Sequence, residues 1–359
     1  MTYDFLIIGG GIAGISAAAR LAPLGRVLVL EAEDSLAHHA SGRSAALYEP
    51  HYGAPAVVEL SMASGDFFRA AGNVLSPRGL MLVAREDQKQ DFDHDMKAMD
   101  FAPISLDEAL SIIPILNPGV VRMAAHAGHA EDIDTDLLLQ GFARAARAHG
   151  AQILTRARVE GITRTPNGWH LRHAGGEAEA RILVNAAGAW VDRVAAMAGI
   201  APIGFTPLRR SMARIPAPAG LEVSRWPMLF GPGEEWYMKP DAGALIVSPA
   251  EEDPVEAPHD AWADDMVLAE GLARYEEFVT APVTRILANW AGLRTFSPDR
   301  VLVIGPDRHD PAFFWLAGQG GYGFQSAPGA SQLAADLIAG RAPALPPALV
   351  AALAPARFA

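Results

Sequence analysis

The chain opens with a continuous apolar run, Phe5-Leu6-Ile7-Ile8, as a parallel strand buried on both faces requires. Three glycines, Gly9 to Gly11, follow at once, and Ile12 to Leu21 has the Ala- and Leu-rich pattern of a helix. Gly25 ends that unit. Val27-Leu28-Val29-Leu30 makes a second buried strand, closed by Glu31. Strand, helix and strand in such close succession predict a βαβ unit. Beyond it, residues 35–50 read as loop, 55–72 as helix, and 76–128 as a mixed segment broken by Pro and Gly. Thr135 to His149 has amphipathic helical spacing. Residues 152–184 alternate in short strands around the turns Pro166-Asn167-Gly168 and Gly175-Gly176. Ile182-Leu183-Val184 is another buried run and ends in Asn185-Ala186-Ala187-Gly188. Residues 200–290 carry short strands and many prolines. Val301 to Ile304 and Phe313 to Ala317 are two further strands, the second leading through Gly318 to Gly323 into a helix over 329–338. The residues after Gly340 read as a tail or capping helix.

Dinucleotide-type segments therefore stand at the start, middle and end, with irregular, proline-rich stretches between them. That order predicts an α/β fold in which a Rossmann-like domain is assembled from residues 1–76, 130–195 and 300–359. A mixed-sheet α+β domain, residues 77–129 and 196–299, is inserted into it.

Composition narrows the function. Half of the 359 residues are hydrophobic, enough for a sizeable core. The net charge is -12 and no basic run occurs, which argues against a phosphate-facing nucleic-acid surface. The absence of cysteine excludes disulfides, thiolate metal sites and cysteine nucleophiles. No apolar stretch reaches the roughly 18–20 residues that span a bilayer, and the start of the chain enters its first strand without a charged leader. A cytoplasmic enzyme is expected, compatible with a peripheral contact at the inner membrane.

Gly9-Gly10-Gly11-Ile12-Ala13-Gly14 matches G-x-G-x-x-G in the required place, after a strand and opening a helix. Gly9 permits the tight turn, Gly11 lets backbone approach a pyrophosphate, and Gly14 lets helix pack on strand. Free N–H groups at the helix start favour the phosphates. Glu31 suits ribose hydroxyls and repels a 2′-phosphate. The next segment is a loop, Ser41-Gly42-Arg43-Ser44-Ala45-Ala46, rather than more parallel strands. A second Gly-rich strand-to-helix turn appears at 315–325. A long cofactor, FAD, fits that layout better than NAD.

Combined with His39 to Ala46, Glu131 to Asp136, Asn185 to Trp190, Trp290-Ala291-Gly292-Leu293-Arg294 and Gln319 to Gly323, this motif resembles the glycine/D-amino-acid oxidase superfamily. Within it the chain is most similar to the D-arginine dehydrogenase subgroup, in matching order from residue 3 to about 330. The resemblance implies a non-covalent FAD domain covered by a sheet-based substrate domain. It implies hydride transfer from the substrate α-carbon to flavin N5, the resulting imine hydrolysing to a 2-oxo acid and ammonia. An FAD-dependent D-amino-acid dehydrogenase is the leading expectation, and an oxidase of secondary amines or N-methylated amino acids the alternative. A quinone is the expected kind of electron acceptor, and a monomer the expected state. Cofactor contacts are expected from Gly9, Gly11, Ile12, Ala13, Gly14, Glu31, the loop Ser41, Gly42, Arg43, Ser44, Ala45 and Ala46, then Val159, Ala187, Gly188 and Trp190. Later ones are expected from Gly292, Arg294, Gly320, Gly321, Tyr322, Gly323 and Phe324.

An amino-acid carboxylate is best held by a guanidinium, for which Arg209, Arg210 and Arg294 are candidates on chemistry alone. The resemblance implies Arg210 and Arg294, with Tyr52 and Tyr237 closing the pocket and the Gly321 carbonyl meeting the substrate amine. Two positions depart from the subgroup. Leu80 stands where an acid meets the substrate guanidinium, and Leu47 replaces a loop histidine. With Met228 and Phe230 beside Leu80 the pocket reads as apolar, so a neutral or hydrophobic D-amino acid is expected; Glu49, near in sequence, is the one acid that could restore a negative charge. No histidine spacing suggests a metal, and none is expected. No residue stands out as the base for the substrate ammonium; a water held by Tyr52 or a loop histidine would serve.

Overall fold

The computed structural model describes residues 2–358. Strand β1 (Thr2–Ile8) pairs in parallel with β2 (Val27–Leu30), Phe5 against Val27, and helix α1 (Ile12–Leu21) makes the crossover. The other edge of β1 pairs in parallel with β3 (Gly176–Asn185), Phe5 against Ile182 and Ile8 against Asn185. The late strand Phe313–Ala317 adds beyond β3. Distant segments thus complete one sheet, whose two faces are filled by separate apolar clusters, Ile7 and Val29 on one side, Leu6 and Leu28 on the other. The mixed α/β architecture is the one expected.

A nine-stranded sheet holds the other large layer. Its longest pairing is antiparallel, β4 (Thr206–Pro216) on β5 (Ala288–Phe296), with Leu208 opposite Arg294, Arg210 opposite Gly292 and Met212 opposite Trp290. Side chains alternate between faces of a strand. One face therefore carries Met81, Val83, Ala213, Ile215, Leu229, Met238, Leu245 and Val247, which pack on the helix Asp265–Phe278 through Leu268, Leu272 and Tyr275. The opposite face carries Leu80, Met212, Met228, Phe230, Tyr237, Arg210 and Arg294, and turns towards the cofactor sheet. A short sheet of Leu47–Tyr48, Glu131–Ile133 and Leu75–Pro77 lies at one side.

Several elements differ from the sequence reading. The helix expected over 55–72 is two, Pro55–Ala63 and Gly65–Ala71, broken at Ser64. The late helix starts at Gly323 and contains Pro328. Ser64 links both facts: its Oγ accepts the Gly329 N–H at 3.0 Å, satisfying backbone beside the proline. The segment 200–290 also holds the Asp265–Phe278 helix, capped by Asp264 through the N–H groups of Met266 and Val267. Among the described residues, no helix is long and apolar enough to cross a membrane.

Candidate active site

Two adjoining cavities begin at the carboxyl ends of β1 and β2 and reach the polar face of the large sheet, sharing Gly11, Ser41, Arg43, Ala186, Gly188 and Gly292. The glycine motif shapes the first part. Gly9 has φ +113°, and a Cβ there would lie 2.3 Å from the Ala186 carbonyl oxygen. A Cβ on Gly14 would lie 2.0 Å from the Gly9 oxygen, so helix and strand touch through backbone. On Gly11 a Cβ would meet only Ser41 Oγ, at 3.1 Å. Gly11, Ile12 and Ala13 line the cavity where α1 begins, and Gly11 gives that helix no side-chain cap. This open, electropositive cradle fits the pyrophosphate of a dinucleotide.

The second cavity is lined by Glu31, Val159, Ala187 and Trp190. The Glu31 carboxylate accepts the N–H of Gly10 at 2.6 Å and of Glu33 at 2.8 Å, which fixes it at the cavity wall with lone pairs to spare for ribose hydroxyls. The loop Ser41, Arg43, Ser44, Ala45 and Ala46 lines the first cavity, with Gly320, Gly321, Gly323 and Phe324 across from it. Three expected contacts sit behind the walls. Gly14 packs on Gly9, and a Cβ on Gly42 would meet the Ala37 oxygen at 2.3 Å. The Tyr322 ring packs against Tyr52, centroids 5.1 Å apart. The Arg43 guanidinium is engaged by protein: it donates to the carbonyls of His38, Ala261 and Ala291 and pairs with Asp260. Arg43 thus stitches the loop to β5.

The cavity then opens onto the large sheet. Arg210 and Arg294 share a face, diagonal across the β4–β5 ladder; Arg210 is buried and Arg294 partly buried. Arg210 Nε donates to the Glu251 carbonyl at 2.9 Å, while its Nη1 is buried without a hydrogen-bond partner, 3.6 Å from Glu234 Oε2. Burial works against the charge on Arg294, but Tyr52, Tyr237 and Glu234 around it outweigh that and hold it firmly protonated. Burial pushes the Tyr52 hydroxyl far above its ordinary value, Glu234 adding to the rise and Arg294 opposing it. Tyr52 is therefore a neutral donor at working pH. Arg209, by contrast, points away and pairs with Asp253 at 2.8 Å.

Leu47, Leu80, Met99, Met212, Met228 and Phe230 form an apolar wall beside this polar corner. Glu49 and Tyr237 also line the cavity. Sequence reasoning missed Met212, Met99 and Glu234. Met212 was findable, since it lies two residues beyond Arg210 and so on the same face. Glu234 was not: it follows Gly231-Pro232-Gly233 in a turn and takes φ +56°, and nothing local tells that its carboxylate meets Arg210. Gly233 is anchored there by the Asp95 carboxylate, which accepts its N–H at 2.7 Å.

Known proteins resemble this chain along most of its length. FAD-dependent oxidoreductase domain-containing protein 1 of Bos taurus is 25% identical over 93% of this chain and 81% of its own length. Glycine oxidase of Pseudomonas aeruginosa is 26% identical, covering 97% of this chain and 98% of its own. The structure of glycine oxidase from Geobacillus kaustophilus superposes with a TM-score of 0.83 at 22% identity, over 97% of this chain and 98% of that one. The DAO family of FAD dependent oxidoreductases matches residues 4–337. By that match over nearly the whole chain, together with a cradle that suits a dinucleotide, this protein belongs to the DAO family and is an FAD-dependent oxidoreductase.

Proposed function

We propose that the chain oxidises the carbon–nitrogen bond of small D-amino acids with neutral or apolar side chains, as a dehydrogenase serving an acceptor such as a quinone. The observation that carries this reading is the pairing of buried Arg210, whose Nη1 makes no hydrogen bond, and partly buried Arg294 with an apolar wall on the same sheet face. A substrate carboxylate would complete the hydrogen bonding of Arg210 and lie against Arg294. Tyr52 and Tyr237 would close over it, and the Gly321 carbonyl would accept from the amine. Leu80, Met212, Met228 and Phe230 would shed water from around the side chain. They offer no partner to a guanidinium, whose unpaired burial costs several kcal/mol. The likeness to glycine oxidases supports an amino acid as the substrate class. FAD, when bound, supplies the hydride acceptor. The same reading assigns residues 1–76, 130–195 and 300–359 to the cofactor and 77–129 and 196–299 to the substrate.

The test is anaerobic mixing of the yellow protein with D-, L- and N-methyl amino acids, one at a time, while the visible flavin band is recorded. Rapid bleaching by apolar D-amino acids is expected. Bleaching by D-arginine or D-lysine alone would overturn the apolar-pocket argument, and bleaching by N-methyl substrates alone would replace the primary-amine reading.

A further inference from the structure

Two histidines far apart in sequence meet a buried carboxylate at the edge of the pocket. Glu49 and His51 lie in the turn that follows the strand Leu47–Tyr48. His129 precedes the strand Glu131–Ile133, which pairs with Leu47–Tyr48 and so brings the two turns together. His51 Nδ1 is 3.1 Å from Glu49 Oε1, His129 Nε2 is 2.7 Å from Glu49 Oε2, and the two ring nitrogens are 3.3 Å apart.

Hydrogen bonding does not account for all of this. Glu49 is 3% exposed, and its Oε2 is buried without a hydrogen-bond partner. His129 comes close to it but is not aligned to donate. One ligand atom from each residue therefore lies within 4.8 Å of the other two, and Glu49 Oε2 receives no hydrogen bond. Bonds of about 2.0–2.2 Å in a tetrahedral zinc site place neighbouring donors about 3.3 Å from each other; the two ring nitrogens and the His51–Glu49 pair have that spacing, and the His129–Glu49 pair, on the other carboxylate oxygen, is closer. A cation there would also neutralise a buried carboxylate. The side chains of His51 and His129 are 30% and 32% exposed, which gives an entry path and leaves a fourth position to water.

We propose that Glu49, His51 and His129 form a binding site for a zinc-type divalent cation. Two imidazoles and one carboxylate suit zinc; magnesium and calcium prefer all-oxygen sets. Bound zinc would tie the 49–53 turn to the 128–130 turn. Tyr52 sits in the first of these, its N–H donating to the Glu49 carbonyl at 3.1 Å, so the cation fixes the loop that carries a pocket tyrosine. The sequence expectation of no metal considered spacing along the chain, and the proposed site departs from it through residues brought together across strands.

The FAD-loaded enzyme, freed of metal by a chelator, is titrated with zinc chloride in a calorimeter, and cobalt(II) is added separately to record its visible absorption. One equivalent of zinc and the intense cobalt bands of a tetrahedral site are expected. H51A and H129A should each weaken zinc binding at least about tenfold and abolish the cobalt bands. H38A, which removes a donor from the other cluster of this type, Glu33–His38–His39, should leave both unchanged. Retained flavin absorbance reports that each variant is folded. Zinc affinity equal to wild type in H51A and H129A, or no binding and no tetrahedral cobalt spectrum in the wild type, overturns the proposal. Neither readout depends on which amino acid the enzyme oxidises.

Discussion

Arg210 shows how a single side chain is prepared for a ligand. Its Nε and Nη2 are spent on the Glu251 carbonyl and the Glu252 carboxylate, leaving Nη1 buried and free of hydrogen bonds. Such an orphan costs stability unless something repays it. Replacing it with methionine in R210M is expected to lower kcat/KM by about 30- to 150-fold, the equivalent of about 2–3 kcal/mol for a charged hydrogen bond, with a lower melting temperature because the Glu251 carbonyl and the Glu252 and Glu234 carboxylates lose their partner. Steady-state kinetics beside a melting curve check it; an unchanged kcat/KM would remove Arg210 from the carboxylate site. The arginine types were legible in the sequence, and a resemblance selected Arg210 and Arg294 from among three. Their common face was not legible, because it depends on the register Leu208–Arg294, which no local signal encodes. Glu234 escaped for a related reason: its position depends on a left-handed turn held from outside by Asp95.

At the scale of elements, the first βαβ unit was the most legible part of the chain, since period and glycine sterics act over a few residues. The structure separates the roles of its glycines. A methyl on Gly14 would collide with backbone at 2.0 Å, whereas one on Gly11 meets only a serine hydroxyl at 3.1 Å and otherwise projects where phosphate would approach. G14A is therefore expected to destabilise the fold by about 3 kcal/mol through overpacking. G11A should fold with a near-normal melting temperature once stripped of flavin, yet lose FAD on dialysis. The ratio of flavin to protein absorbance, with melting of both apo forms, distinguishes the two. Helices near prolines were the least legible. The late helix runs through Pro328 because Ser64, at the break between two other helices, accepts the Gly329 N–H.

For the whole molecule, the end of the chain is fastened back onto the core. Arg357 donates from Nε and Nη2 to Asp299 at 2.7 and 3.0 Å, and from Nη2 to the Val301 carbonyl. Partial burial opposes the charge on Asp299, but Arg357 and Ser297 prevail and lower its pKa to about 2 from 3.8. A depressed carboxylate stabilises the fold above its unfolded pKa, and that contribution is lost as the pH falls through the folded value. Asp299 is 42% exposed, so solvent screening keeps the effect below about 1 kcal/mol. The melting temperatures of wild type and D299N should differ by a constant amount from pH 5 to 8 and converge towards pH 2. A gap that widened on acidification would reverse the assignment.

The Gly9 turn rests against the Ala186 carbonyl, and β1 lies beside β3, which also pairs with the strand that ends at Ala317. During synthesis the phosphate-cradling segment leaves the ribosome before the later strands that wall it, up to Ala317, and waits for them. Non-local pairing of this kind closes slowly. Cofactor capture is then the last event in making this enzyme. Flavin scarcity in the cell would leave behind an assembled apoprotein, not a half-built one, and feeding riboflavin late should recover activity without new translation.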